Sequence, residues 1–286
     1  MQELITSPWA GEGEHAYFFL EKTNLNTQDV VRLLAEAYHL PEVAIGYAGR
    51  KDKFAVTQQW FSVHTPRDEW LINHPDIELK EQSRHEKKLR IGSHTANRFS
   101  IVLNNIEADP TEVFLGLEQA VPNGFGVQRF GDDNLAVALH WLFNLRRTKK
   151  GKRNRGWHLS TLRSFLFNEV LAARVAANNY TTQLSGDVLE EGVPTAPLWG
   201  RGKSETTDMA LEIEQQTLKP HADMCDELEF AGVTQARRKM AMIAKDVTVM
   251  PEQANSVRLN FELPVGSYAT VFLSNFVALN NRADVA

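Results

Sequence analysis

The sequence contains almost no cysteine: Cys225 is the only one among its 286 residues. A single cysteine excludes a disulfide framework within the chain and a zinc site built from several thiolates. No apolar run is long enough to cross a bilayer. The amino terminus, Met1-Gln2-Glu3-Leu4, lacks the basic and apolar regions of a secretion signal. We therefore expect a cytoplasmic protein with no membrane partner.

Motifs that bind metals or nucleotide cofactors are missing as well. The histidines show neither the H-x3-H nor the HExxH spacing of metal ligands. No G-x-G-x-x-G motif opens a helix after a strand, and no G-x-x-x-x-G-K-[ST] loop is present to hold phosphates. We therefore expect neither a metal nor an organic cofactor.

Charge is distributed unevenly along the chain. Residues 84–90 form one basic cluster, and acidic residues collect at 187–191 and 223–229. Seven of the ten residues from 146 to 155 are cationic, namely Arg146, Arg147, Lys149, Lys150, Lys152, Arg153 and Arg155. Two basic clusters in a chain of net charge -5 predict a polarised surface that binds a phosphate backbone. The alternative for each cluster is an ordinary solvated face.

The periodicity of apolar residues changes along the chain. Strand patterns occur at about residues 15–22, 43–48, 56–64, 77–91, 99–106, 247–250 and 256–263. Helical patterns follow the N-cap candidates Thr27 and Ser160 and also occur near 109–120, 134–145, 208–218, 221–230, 234–244 and from 269, with a Gly/Pro-rich loop at 192–202. Strands, then helices, then strands again predict an α+β domain interrupted by a helical insertion at about residues 147–246.

The segment from Gly46 to Trp60 (GYAGRKDKFAVTQQW) places one carboxylate, Asp52, among the cations Arg50, Lys51 and Lys53. Because nearby positive charge favours the charged form of an acid, we expect Asp52 to be ionised at neutral pH. An ionised carboxylate on a loop between two strands is a candidate nucleophile. The flanking cations suit a substrate that carries phosphate.

The same segment has a simpler interpretation. Gly49-Arg50-Lys51-Asp52 is a good sequence for a polar β-turn in which the aspartate bonds to its own backbone. On the local pattern alone, this structural interpretation is the more common one. A hydrolase that pairs Asp52 with a histidine is a further alternative, but no second motif supports it.

A second loop, from Val121 to Gly131 (VPNGFGVQRFG), combines three glycines with polar side chains and two phenylalanines. Glycines let a backbone approach a ligand closely. The amide of Asn123 can donate to and accept from the edge of a base, and Phe125 or Phe130 can stack on a base. The alternative is a glycine-rich connector with two core phenylalanines, which we favour for Phe130.

Four segments match, in order, motifs of the tRNA pseudouridine synthase D family. They are Gly46–Trp60, Val121–Gly131, Ser164–Arg174 (SFLFNEVLAAR) and Leu263–Thr270 (LPVGSYAT). The chain therefore resembles that family, and its bacterial branch in particular. The resemblance implies an α+β, V-shaped molecule. Its pseudouridine synthase catalytic domain, with a mixed and mainly antiparallel sheet, would comprise residues 1–146 and 247–286. A helix-rich insertion peculiar to the family would comprise residues 147–246.

The resemblance also implies an activity, a partner and a set of site residues. Family members isomerise a uridine in tRNA, uridine 13 in the bacterial branch, to pseudouridine, and we expect a monomer that binds tRNA. The family's catalytic aspartate matches Asp52, its uridine-contacting asparagine and phenylalanine match Asn123 and Phe125, and its carboxyl-terminal aromatic matches Tyr268. Further candidates for substrate or RNA-phosphate contacts are Arg50, Lys51, Arg129, Arg146, Arg147, Lys149, Lys150, Lys152 and Arg153.

The role of Asp52 stays open among attack at the ribose C1′, attack at the base C6 and removal of a ribose proton. Arg50, Lys51 or Lys53 can keep Asp52 ionised or bind the target phosphate, and we expect Lys51 to lie close to it. The rival from another class is a non-catalytic RNA-binding or chaperone-like protein that keeps the fold. The intact Lys51-Asp52 pair argues against that rival.

Overall fold

The computed structural model describes residues 1–5, 9–106, 109, 113–253 and 255–279. The chain packs as two compact units. The first comprises Met1–Leu117 and Ala244–Gly266, and the second comprises Glu118–Ile243 and Ser267–Ala286. The domain boundaries expected from the sequence, after residues 146 and 246, divide the chain elsewhere and stay a prediction.

Strands dominate the first unit and are short in the second. In chain order they are β1 (Gln2–Leu4), β2 (His15–Lys22), β3 (Gly46–Tyr47), β4 (Thr57–His64), β5 (Ile77–His85), β6 (Ala96–Asn104), β7 (Val121–Pro122), β8 (Leu189–Glu190), β9 (Val193–Leu198), β10 (Ala236–Lys239), β11 (Ala241–Met242), β12 (Lys245–Gln253) and β13 (Ser256–Pro264).

The helices lie mainly in the second unit. They are α1 (Thr27–Ala37), α2 (Val127–Phe130), α3 (Asn134–His140), α4 (Arg155–Ala176), α5 (Asp208–Leu218), α6 (Ala222–Phe230) and α7 (Ala269–Leu273). A π-helical turn, Trp141–Leu145, continues α3. None of the helices in the described part of the chain is both long and apolar enough to span a bilayer.

The first unit is built on one mixed sheet in the order β12-β13-β6-β1-β4-β2-β5, with β3 added beside β4. Among the described pairings of this sheet, only β1 and β4 pair in parallel, so the sheet is mainly antiparallel, as expected. In β13, alternate side chains are fully buried, as a strand with one face on the core requires. These are Val257, Leu259, Phe261 and Leu263.

Strand β2 is buried on both faces, which explains its nearly continuous apolar sequence. On one face, Ala16, Phe18 and Leu20 pack against the apolar side of α1. On the other face, Tyr17 and Phe19 pack with Trp60. The end of β2 and the start of β4 are therefore fixed by packing on two sides, and the Asp52 loop lies between β3 and β4.

Helix α1 begins with a capping box, one residue earlier than the N-cap predicted from the sequence. The Asn26 side chain accepts a hydrogen bond from the Asp29 N–H (3.0 Å), and the Asp29 carboxylate accepts one from the Asn26 N–H (2.9 Å). These bonds satisfy two of the donors that the first helical turn leaves open. Thr27, predicted as the N-cap, is instead the first helical residue, and its buried hydroxyl donates to the Gln59 side chain.

The second unit has its core around α4. Leu162, Leu166 and Phe167 of this helix are fully buried together with Ala196 of β9 and Leu228 of α6. Ser160, predicted to cap this helix, lies within it.

Several other boundaries were predicted wrongly. The predicted loop at 192–202 contains β9, which pairs with β8 and β10. The predicted helix at 234–244 forms β10 and β11 instead, because pairing with another strand overrides local helix preference. The predicted strand at 43–48 is a short 3-10 turn followed by β3. Of the helix predicted at about 109–120, residues 110–112 lie outside the described residues, and residues 114–118 form turns rather than a continued helix.

Candidate functional site

Asp52 lies on an exposed turn between β3 and β4. Its carboxylate Oδ1 accepts a hydrogen bond from the Phe54 N–H (3.3 Å), so the aspartate does bond its own backbone, as the turn interpretation expects. The Asp52 carbonyl accepts a hydrogen bond from Lys22 Nζ (2.8 Å). The turn is therefore anchored from the end of β2, and it presents its carboxylate at the surface.

Lys22 is a cation beside Asp52 that sequence reasoning missed. Its side chain is fully buried, and its ammonium also donates to the Leu25 carbonyl. Burial lowers the pKa of Lys22 to about 8, while attraction to Asp52 opposes that change. The sequence did offer a signal: Lys22 ends a strand whose centre is apolar and buried, and a buried charge needs partners.

Lys51 does not lie where the sequence suggested. It is buried, its ammonium forms an ion pair with Glu3 Oε1 (3.0 Å) and it donates to Asn97 Oδ1 (2.7 Å). Burial lowers the pKa of Lys51 and raises that of Glu3, and each charge partly offsets the change in the other. An ammonium directed at Glu3 inside the first unit is poorly placed to contact an RNA phosphate, so this placement argues against that role.

The backbone of this loop is held by a chain of side-chain hydrogen bonds. The Lys51 N–H donates to Thr27 Oγ1 (2.8 Å), and that hydroxyl donates to Gln59 Oε1 (2.9 Å). The Gln59 amide in turn donates to the Gly49 carbonyl (3.0 Å). A Cβ at Gly49 would lie 2.9 Å from His94 Cε1 and 3.1 Å from Lys51 Nζ, so the buried lysine requires glycine there.

The accessible cations of the loop are Arg50 and Lys53, which flank the buried Lys51. Phe54 is 85% exposed, and Lys53 Nζ lies 5.9 Å from the centre of its ring. The exposed part of the loop therefore combines one carboxylate, two cations and an aromatic ring. This combination can approach a phosphate-bearing substrate that carries a flat base.

In the second unit, Asn123 is held on three sides. Its N–H donates to the Met240 carbonyl (2.8 Å), and its side-chain Nδ2 donates to the Lys239 carbonyl (3.1 Å). Its Oδ1 accepts from Arg238 Nη2 (2.6 Å) and from Ser267 Oγ (3.3 Å). The amide is thus fixed, and it is only 4% exposed.

The structure brings Phe125, Tyr268 and Arg129 together beside this amide. The Phe125 and Tyr268 ring centres are 5.9 Å apart, and Arg129 Nη2 donates to the Tyr268 hydroxyl (3.1 Å). The backbone of Phe125 is fixed by Asn168, whose amide accepts from its N–H (2.9 Å) and donates to its carbonyl (2.8 Å). Three residues singled out from the sequence therefore form one cluster with Asn123.

Arg238 is the member of this cluster that the sequence did not reveal. Its guanidinium carbon lies 4.2 Å from the Phe125 ring centre and 5.4 Å from that of Phe167. Burial lowers the pKa of Arg238 to about 10, attraction to Tyr268 opposes this, and the charge of Arg129 adds to it. A cation between two aromatic rings is stabilised by their faces.

The basic segment 146–155 is less available than its composition suggests. Arg146 is mostly buried in an ion pair with Glu227, and Arg147 pairs with the other oxygen of that carboxylate (2.9 Å). The exposed cations that remain as phosphate candidates include Lys149, Lys152 and Arg153, whereas the side chain of Lys150 lies outside the described residues. The ion pair leaves Arg146 poorly placed to contact a phosphate, and its role as a phosphate ligand stays a prediction that this placement does not favour.

Metal binding finds no support in the geometry. Across the described ranges, no cluster of three or more histidine, cysteine, aspartate or glutamate side chains is arranged to hold a metal ion.

Comparisons with known proteins point to one family. The family model described as tRNA pseudouridine synthase D (TruD) matches residues 2–138. The protein named tRNA pseudouridine synthase D from Pseudomonas putida (strain W619) is 36% identical over 313 residues, covering 98% of this chain and 88% of the relative. The protein of the same name from Cellvibrio japonicus (strain Ueda107) is 37% identical over 290 residues, covering 96% and 84%.

A solved structure gives the same fold. A Methanosarcina mazei protein assigned to tRNA pseudouridine synthase D (TruD) matches with a TM-score of 0.70 at 21% identity, covering 98% of this chain and 91% of that one. It confirms the α+β fold class expected from the sequence. The relatives that are more than a third identical over nearly all of this chain confirm the resemblance itself. This chain therefore belongs to the tRNA pseudouridine synthase D family.

Proposed function

We propose that this chain is a tRNA pseudouridine synthase, an isomerase that converts a uridine in tRNA, uridine 13 by analogy with the bacterial branch, to pseudouridine. The observation that carries the proposal is the exposed Asp52 carboxylate, which stands on an anchored turn inside a segment that matches the family. The accessible Arg50 and Lys53 beside it suit the phosphates of an RNA substrate.

The proposed reaction needs only groups that the chain offers. The glycosidic bond from uracil N1 to ribose C1′ breaks with its electron pair on N1, the uracil rotates, and a bond from C5 to C1′ forms. C5 loses one proton and N1 takes up one, so the product is an isomer of the substrate. Electrons are neither gained nor lost overall, so no redox partner enters the balance. An exposed carboxylate can attack C1′ or C6, or remove a ribose proton, and all three roles require Asp52 to be ionised.

The target base must leave its stack before Asp52 can reach the glycosidic bond, and extrusion costs a few kcal/mol. In our proposal, the cluster of Asn123, Phe125 and Tyr268 binds the extruded base. Stacking on an aromatic side chain contributes about 1–3 kcal/mol for each base. That is enough to offset much of the extrusion cost.

Replacing Asp52 by asparagine tests the proposal. Asp52→Asn keeps an oxygen that can accept from the Phe54 N–H, so the turn should survive while the ionised carboxylate is lost. We expect tRNA binding to persist and pseudouridine formation to stop. Tritium release from tRNA labelled at uridine C5, together with carbodiimide mapping of the product, measures this directly.

The matched control is Asp68→Asn, which removes an exposed carboxylate of the first unit that pairs with Arg84. We expect this control to keep its activity. Near-normal turnover by Asp52→Asn would remove Asp52 from the mechanism. If the wild-type protein binds tRNA but forms no pseudouridine, it is instead the non-catalytic RNA-binding protein considered above.

A further inference from the structure

The hydrogen bonds around Asn123 fix which way its amide faces. Arg238 donates from Nη2 to Asn123 Oδ1 (2.6 Å), and it donates to the Asn123 carbonyl from Nη2 (3.0 Å) and Nε (3.2 Å). A guanidinium has only donors, so it can face the oxygen of the amide but not the NH2 group. Arg238, which faces Oδ1, and the Lys239 carbonyl, which faces Nδ2, therefore set the amide orientation together.

Counting the bonds of this amide shows what is left for a ligand. Oδ1 accepts from Arg238 and Ser267, which occupies both of its lone pairs. Nδ2 has two protons and gives one to the Lys239 carbonyl. One N–H of Nδ2 remains, so within this network Asn123 can contact a ligand as a donor and not as an acceptor.

We infer that Arg238 is a specificity-determining residue: it holds Asn123 so that a single N–H donor meets the base, and this donor selects uracil over cytosine. The inference rests on the proposed function and adds the chemical edge that is recognised. Uracil carries a carbonyl oxygen at C4, which accepts the bond. Cytosine carries an amino group there, and two donors facing each other leave a buried polar group unpaired.

The strand that carries Arg238 supports this role. The Asn123 N–H donates to the Met240 carbonyl (2.8 Å), and β7 pairs with β11 through Val121 and Met242. Arg238 is thus held beside Asn123 by the backbone. It also packs against the Phe125 ring at 4.2 Å, so one guanidinium positions both the amide and the aromatic side chain.

The test compares binding of two tRNA transcripts that differ only by uridine or cytidine at the target position. We expect the wild-type protein to prefer uridine by about 5- to 150-fold, the range typical of leaving one buried polar group unpaired. Arg238→Met keeps apolar bulk against Phe125 but removes the donors that hold Oδ1, so only the bond from Nδ2 to the Lys239 carbonyl still orients the amide and this preference should fall. Arg238→Lys keeps a cationic donor but lacks the planar, forked geometry of the guanidinium, so it should retain part of the preference for uridine.

Asn123→Asp gives a sharper variant. Its carboxylate can still accept from Arg238, but both donors of the amide are gone, the one to the Lys239 carbonyl and the one to the base. We expect this variant to lose its preference for uridine and to bind the cytidine transcript at least as well. Far-UV circular dichroism and thermal melting confirm folding, and a ratio of two affinities is insensitive to the fraction of active protein.

Three results would overturn the inference: no uridine preference in the wild type, an unchanged preference in Arg238→Met, or a preserved preference in Asn123→Asp. Because the readout is binding, it separates this inference from the proposed function. A wild-type protein that makes no pseudouridine refutes the function, whatever the binding ratios are.

Discussion

Removing the Lys51 ammonium should destabilise the first unit strongly. The side chains of Glu3 and Lys51 are 0% and 2% exposed, with 3.0 Å between Oε1 and Nζ. Lys51→Met leaves the Glu3 carboxylate buried without its cation, which typically costs about 3–5 kcal/mol. For a unit of this size we expect the melting temperature to fall by about 6–20 °C. Urea denaturation followed by circular dichroism measures the change.

The double variant Glu3→Leu/Lys51→Met is the matched control. It removes both charges, so part of the lost stability should return, because apolar replacement of a buried ion pair is often neutral or favourable. A deficit of about 1–3 kcal/mol should persist, because Asn97 Oδ1 loses the donor that now lies 2.7 Å away.

The pH dependence gives a second readout for Lys51→Met. Burial already raises the pKa of Glu3 above its ordinary value of 4.5, and Lys51 opposes this. Without Lys51 the pKa rises further, so the folded state takes up a proton that the unfolded state lacks. Stability is then highest below pH 4.5 and is lost as the pH rises through the folded value. Unchanged stability with weakened tRNA binding would refute this reasoning and restore Lys51 as a phosphate ligand.

Two further predictions concern pH and salt. Burial, with the charge of Lys51, lowers the pKa of His94 from 6.5 to about 4. The free energy of unfolding should therefore decrease as the pH falls from 6.5 to 4, by at most about 3 kcal/mol. In urea titrations, His94→Gln should flatten this pH profile. Replacing Lys149, Lys152 and Arg153 by glutamine should reduce the slope of log affinity for tRNA against log salt by about 0.7–0.9 for each phosphate that the variant no longer neutralises. Arg146→Gln should leave that slope unchanged, and an unchanged slope in the triple variant would make the segment an ordinary solvated surface.

The sequence predicts best those elements whose burial follows a simple period. The strand expected at 256–263 is β13, and the helix expected at 208–218 is α5. In β13 every second side chain is buried, so the pattern of period two is unbroken. The Asp52 turn was recognisable for a similar reason, since its side-chain bond to the Phe54 N–H is local.

Contacts that are distant in sequence could not be predicted. The segment 234–244 is rich in residues that favour helices, and only pairing with β9 makes β10 a strand. Arg238 was missed for this reason, because it meets Asn123 across 115 residues. Similarly, the positions of charged residues near Asp52 in the sequence do not show which way their side chains point. The direction of the Lys51 side chain, toward Glu3, could therefore not be predicted.

The bond between Ser267 and Asn123 joins residues 144 positions apart, which has a consequence for biosynthesis. At a ribosomal rate of about 5–20 residues per second, roughly 7–30 s pass between the emergence of the two partners. During that interval the nascent polypeptide lacks both Ser267 and Tyr268. A product that terminates before them therefore lacks the Ser267 hydroxyl that donates to Asn123 Oδ1 and the Tyr268 hydroxyl that accepts from Arg129, so the cluster around Asn123 is completed only near the end of synthesis.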